Sequence, residues 1–446
     1  MKTSPLHTNG FSRVALLFGY FLASTTAYPG TWPQWRGPNA SGHFEGTGFP
    51  TEWNSKKNVV WKVEIPGRGH SSPVVEGDLV WLTTAYETPA SEEDVKRRLK
   101  VNTGGQPLNL LAKVSLRAVQ INPETGKILR DIEVFNKEKP QWVHKLNSYS
   151  SSTPCLKDGK LYCHFGAYGS ACLDAKSGKI IWKNNDKRLW VMHENGPGSS
   201  PLLWGDLMIF HLDGSDKQSI VALKQETGEI VWQTKRSGKM NSNPQLKKSY
   251  ATPILVKNKG SELLLSPAAD WLYCYEPATG KEFWKLPYGL LGFSNVSRPV
   301  AGNGMVFLST CFMKGEILGI LLNGDKLPEI KWRARSAPKM PSPILVDDEL
   351  YLVNDAGIAS CLNAKTGELH WQERLHAEFS ASPTYADGKI YFCDRNGVTH
   401  VVKPGKSLKV IAKNELDGTA HMASFAPYGK AFLIRTNEAL YRVEAR

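Results

Sequence analysis

Histidine, carboxylate, arginine and amide side chains crowd into a few short stretches of this chain. HENGPGSSP offers His193, Glu194 and Asn195, and HLDGSD adds His211, Asp213 and Asp216. Two imidazoles and three carboxylates in one region could hold calcium or another divalent ion through oxygen ligands. The Asp213-Gly214-Ser215-Asp216 spacing does not match a twelve-residue calcium loop, and a turn with Asx hydrogen bonds accounts for it. No metal is therefore expected. The same residue types recur at His70, at His144, Asn147 and Tyr149, at Tyr250, at Asn295 and Arg298, and at Asp355 and Arg395. Polar groups of this kind, mixed with aromatic rings, are the usual lining of a concave ligand site. No catalytic residue is assigned: the chain has no GxSxG elbow, and its Ser-Ser-Pro steps read as strand starts.

Seven cysteines, an odd number, include no CxxC pair and no adjacent pair, so a zinc knuckle or a dithiol site is not expected. Cys172, Cys274 and Cys361 share one position of a repeat and read as small core residues. The charge of +13 comes from scattered residues, which argues against nucleic acid. Lys2 and Arg13 precede an apolar run, Val14 to Ala23, that is too short to cross a bilayer and ends in small residues. This reads as a secretory leader, residues 1–27, cut after Ala27, and implies a periplasmic or secreted protein. No later stretch is apolar enough for a transmembrane helix.

The elements that carry the candidate residues follow from a repeat. Ser/Thr-Pro steps occur at Ser72, Thr153, Ser200, Thr252, Ser342 and Ser382, with Arg298-Pro299 and Ser424-Phe425 as variants. From Thr153 onward their mean spacing is about 45 residues, the period of a propeller blade. Each unit closes on a sharper motif: CLDAKSGKIIW, ALKQETGEIVW, CYEPATGKEFW and CLNAKTGELHW. Gly178, Gly228, Gly280 and Gly367 supply a turn that needs positive φ. Trp182, Trp232, Trp284 and Trp371 are expected to pack in the seams between blades.

The eighth unit lacks an outer strand, and NVVWKV, residues 58–63, is placed to supply it. Trp61 would then stand where Trp371 stands in its own blade. The expected fold is an all-β, eight-bladed propeller of four-stranded antiparallel blades, residues 58–446, closed by an N-terminal strand and preceded by an extension, 28–57. The first unit carries an insertion at about 86–113. There Ser91 is an N-cap candidate, with acids early and bases late in SEEDVKRRLKV, which predicts a short helix. The repetitive TG turns occupy one face of the ring. All the polar candidates fall on the other, in the connections between blades and between the middle strands of each blade.

These repeats resemble the PQQ-type eight-bladed propellers, which include quinoprotein alcohol dehydrogenases and the BamB assembly factors. WPQWRGP, NSYSSSTP and FSNVSRP are more similar to secreted bacterial propellers of that kind. The resemblance implies two functions. One is a monomeric, non-catalytic scaffold that binds a protein or an extracellular glycan, with no cofactor. The other is a dehydrogenase for alcohols or sugars holding PQQ and calcium. The quinone clamp of that enzyme family uses adjacent half-cystines, which this chain lacks.

Overall fold

The computed structural model describes Met1 and residues 31–101, 105–289, 292–312 and 314–446. The leader assigned to residues 1–27 lies, apart from Met1, outside the described residues. Eight antiparallel sheets of four principal strands follow one another around a ring. Seven are continuous in sequence. Blade 2, for example, runs Cys155–Lys157, Lys160–His164, Ser170–Asp174 and Ile180–Asn184 from the centre outward. The eighth holds Ala426–Tyr428, Ala431–Arg435 and Ala439–Val443, and Val59–Glu64 pairs antiparallel with the last of these as its outer strand.

The TG turns show why the motif repeats. Gly228 has φ +76°, and a Cβ there would sit 2.4 Å from the Trp182 ring of the preceding blade. Trp232 covers Gly280 and Trp332 covers Gly367 in the same way. Trp182 donates its indole N–H to the Gln225 carbonyl (2.8 Å), Trp332 to Ala364 (2.9 Å) and Trp371 to Gly405 (3.0 Å). Trp61 covers Gly126 and donates to Pro123 (2.8 Å), so blade 8 is joined to blade 1 like any other neighbours. Two seams are built differently. Blade 7 has Ala412 and blade 1 has Arg130 where the other blades carry the outer tryptophan. Arg130 Nε donates to the Ser177 carbonyl (2.9 Å), and the inner Trp81 supplies the indole bond, to Ala175 (3.1 Å).

The core is therefore a set of seams rather than a centre. Separate apolar clusters join blades 1 and 2, 2 and 3, 3 and 4, 4 and 5, 5 and 6, and 6 and 7. The largest unites blades 7, 8 and 1, and into it the N-terminal extension sends Trp32, Phe44, Phe49 and Trp53. All seven cysteines are buried free thiols within this packing.

Blade 1 departs from the others in length. Its Leu79–Pro89, Leu111–Ile121 and Ile128–Glu138 strands each run 11 residues and project beyond the ring on the loop face. Between the first two lies the helix Glu92–Leu99, with Ser91 Oγ accepting from the Asp94 N–H. Arg98 anchors it by donating to the carbonyls of Leu111 and Pro140. No described helix is long and apolar enough to cross a membrane.

Candidate functional site

The Ser/Thr-Pro steps meet around the central channel. The backbone N–H of Ser424 donates to Ser72 Oγ (3.1 Å), that of Ser72 to Thr153 Oγ1, Thr153 to Ser200 Oγ, and Ser200 to Thr252 Oγ1 (each 2.9 Å). The series resumes with Arg298 to Ser342 and Ser342 to Ser382, again at 2.9 Å. Six of the eight blades thus present a hydroxyl to their predecessor, which fixes the inner strands at one height. Arg298 interrupts the series because it has no hydroxyl to offer Thr252.

The extension closes this channel from the turn face. Thr31–Trp32 pairs with Val75–Glu76 of blade 1, and His43–Phe44 runs parallel to Tyr385–Ala386 of blade 7. Between them the chain rises to the hydroxyl ring and turns back at Gly37, whose N–H donates to the Gln34 carbonyl (3.0 Å). Trp35 stands at the tip, its indole N–H directed to Ser424 Oγ at 3.4 Å. Arg36, 1% exposed, donates to four carbonyls: Ala40, Ser41, Pro343 and Pro383. Arg298 grips the same segment through the Trp35 carbonyl (2.6 Å) and also donates to Pro253 (3.0 Å).

Above Trp35 is a cavity of about 370 Å³ that opens on the loop face. Of the residues singled out from the sequence, the structure brings His70, His144, Asn147, Asn195, Tyr250, Asp355 and Arg395 to its wall. Asn147 Nδ2 donates to the carbonyls of Asn195 (2.8 Å) and Pro197 (3.1 Å), which ties two blades together at the rim. His70 Nδ1 lies 3.5 Å from Ser151 Oγ, but that hydroxyl donates to Asn147 Oδ1 at 2.6 Å. Burial, then Arg68 and Arg435, push the His70 imidazole down to about 3, so it is neutral at physiological pH. Asp355 Oδ2 accepts the Lys339 N–H (2.6 Å), and burial raises its carboxyl. Arg395 donates to Ser380 Oγ (2.6 Å) and Glu378 Oε2 (2.9 Å).

The other candidates are placed elsewhere, each for a definable reason. Tyr149 is fully buried and gives its hydroxyl to the Gln141 carbonyl (2.6 Å). His193 Nε2 accepts the Ala167 N–H (2.8 Å), and burial lowers its ring to about 4. Glu194 accepts from Ser215 Oγ, and the exposed Asp216 accepts the Met192 N–H. Asp213 is sealed in a pair with Arg236 (2.9 Å), both side chains without exposure. Asn295 is consumed by the Ala268 carbonyl, the Tyr288 hydroxyl and the Cys311 N–H. Arg298 faces the plug. These polar residues brace the loops. Among the described residues no group of three or more His, Cys, Asp and Glu is placed to hold a metal ion.

Sequence reasoning missed Trp35, Leu146, Val296, Phe312, Lys339, Met340 and Met422, which also line the cavity. Trp35 lies outside the repeat, while Leu146 and Val296 are apolar neighbours of the polar candidates and the others sit in loops that the repeat does not mark. Only WPQWRGP, an aromatic and proline-rich run ahead of the first blade, carried a usable signal.

Known proteins agree with this architecture. The family model described as outer membrane protein assembly factor BamB matches residues 103–259, 216–337 and 323–421. The Legionella pneumophila (strain Paris) outer membrane protein assembly factor BamB is 24% identical over 204 residues, 43% of this chain and 50% of that protein. A quinoprotein ethanol dehydrogenase of Pseudomonas putida is 25% identical over 177 residues, 36% of this chain and 27% of that one. The chain thus spans half or less of the length of these curated relatives. The crystal structure of BamB from Moraxella catarrhalis superposes with a TM-score of 0.57 at 14% identity, covering 87% of this chain and 97% of that one, a likeness of fold. With eight blades, the glycine–tryptophan seams and a family match over most of the ring, the chain belongs to the BamB-like family of PQQ-type propellers.

Proposed function

We propose that this protein is an exported, non-catalytic binding propeller that receives part of a protein partner at its loop face. The observation that carries the reading is the blind funnel: a channel plugged from below by Trp35 and open above, with most of its polar wall groups engaged in bracing bonds. A reacting pair would need a base facing a nucleophile. His70 and Ser151 come nearest, and the Ser151 proton is directed to Asn147 instead. The quinoprotein alternative finds little support in the donor set. Calcium takes six to eight oxygen ligands. Asp355 is the one carboxylate on the cavity wall, and it already accepts a backbone N–H. Every cysteine is a buried thiol with no adjacent partner. The family's description, an assembly factor for outer membrane proteins, favours a protein over a glycan and a periplasmic setting.

A photo-cross-linking residue placed at Leu146 on the rim, or at Lys176 on a TG turn, tests this in the native host. Adducts to a discrete protein from Leu146 and none from Lys176 are expected; adducts only from Lys176 would reverse the face assignment. Tryptophan quenching or dye reduction with alcohols on adding PQQ and calcium would restore the enzyme reading.

A further inference from the structure

The charges around the cavity do not balance. Arg36, Arg298 and Arg435 are 1%, 2% and 3% exposed, and among the described residues none has a carboxylate partner. Arg435 donates to Ser71 Oγ and to the carbonyls of Ser71 and Thr83. Arg36 and Arg298 hold the plug, and all of their acceptors are carbonyls. Burial of guanidinium without a counter-ion is costly, and its field acts through a medium of low dielectric. Two further cations stand on the wall itself. Lys339 lies 5.3 Å over the Phe312 ring and makes no direct ion pair among the described residues, and Arg395 makes its one ion pair there with the largely exposed Glu378, so both act on Asp355 only from a distance. Against these the wall sets Asp355. Asp394, behind it, is already paired with His400 (3.0 Å) and with the N–H groups of Asn396 and Val398.

The rest of the wall is of another character. Leu146, Val296, Phe312, Met340 and Met422 give it an apolar side. Thioether and aliphatic surfaces adapt to apolar side chains and offer nothing to the hydroxyls of a sugar. Two buried polar atoms on the wall have no partner, Ser294 Oγ and Asn195 Oδ1. A hydroxyl can donate to a carboxylate, and an amide oxygen can accept a peptide N–H. The volume suits a small ligand or the end of a chain and excludes a folded domain.

We propose that the cavity captures the C-terminal end of a partner polypeptide, with its free carboxylate toward Lys339 and Arg395 and an apolar last side chain against Met340, Met422 and Phe312. This deepens the binding-propeller reading and rests on it. Acetyl-Ala-Ala-Phe, as the free acid and as the C-terminal amide, is titrated into the full-length protein by calorimetry. The acid is expected to bind about tenfold more tightly than the amide, the gain of one charge-assisted contact. Lys339→Gln and Arg395→Gln should each shrink that ratio toward one, whereas Lys176→Gln on the turn face should preserve it. Unchanged melting of Lys339→Gln, an exposed position, separates lost recognition from lost folding. Equal binding of acid and amide would overturn the proposal, as would binding of neither, or binding of an acidic oligosaccharide in place of the peptide. Leu146 adducts with no preference for the acid would sink the carboxylate but keep the scaffold. Failure of both experiments would sink both.

Discussion

Arg36 is the residue on which the lower end of the channel depends. Its guanidinium satisfies carbonyls from its own turn and from blades 6 and 7, so its removal orphans several buried acceptors at once. Arg36→Met should therefore cost roughly 1–3 kcal/mol or more of stability, measured by urea unfolding, despite its apolar replacement. His421 makes a second prediction at this scale. It is fully buried, neither ring nitrogen has a partner, and burial lowers its pKa to about 4 against the opposing pull of Asp394 and Asp417. The unfolded chain binds this proton at an ordinary histidine pKa and the folded chain does not, so the contribution is full at pH 7 and is lost as pH falls below about 6.5 toward 4. His70 and His164, both lowered to about 3, and His193 act in the same direction, while Asp270, raised to about 6, opposes them. His421→Phe should make the loss between pH 7 and pH 5 smaller by on the order of 1–2 kcal/mol. An unchanged loss would mean that His421 is not held neutral.

At the scale of the element, the seam is the unit of stability. Gly228→Ala places a methyl into the Trp182 ring and strains a residue at φ +76°; Trp182→Ala empties the same contact. Each should lower stability by about 2–5 kcal/mol in thermal or urea unfolding, and the double variant should lose less than their sum, since both remove one contact. These seams were legible because the turn and the indole recur at fixed spacing. Trp332 escaped notice because its blade turns through Asn323-Gly324-Asp325 instead of Thr-Gly, and Arg130 because it fills an indole position with a different bond. The cavity was only half legible for a related reason. Repeat position places His70, Asn147 and Tyr149 on one face. Whether a side chain then turns inward, as His70 does, or buries itself, as Tyr149 does against Gln141, depends on loop packing that spacing does not encode.

Over the whole molecule, seven seams join blades that are consecutive in sequence, while the eighth brings together the two ends of the chain. Val59–Glu64 pairs with Ala439–Val443, Trp61 covers Gly126, and the plug ties blades 1, 6 and 7 beneath the cavity. Closing a ring this way covers the two apolar blade faces that an open fan would expose. Loss of that closure should loosen the neighbouring blades before the rest, because opening costs only local contacts. Trp61→Ala should therefore speed amide exchange in Ala439–Val443 and in the Asn122–Lys127 turn of blade 1 by a factor corresponding to about 3 kcal/mol. Blade 3, around Gln218–Lys224, should keep its protection. Uniform acceleration in all eight blades would instead show that the ring opens as one cooperative unit, with no weaker point where its ends meet.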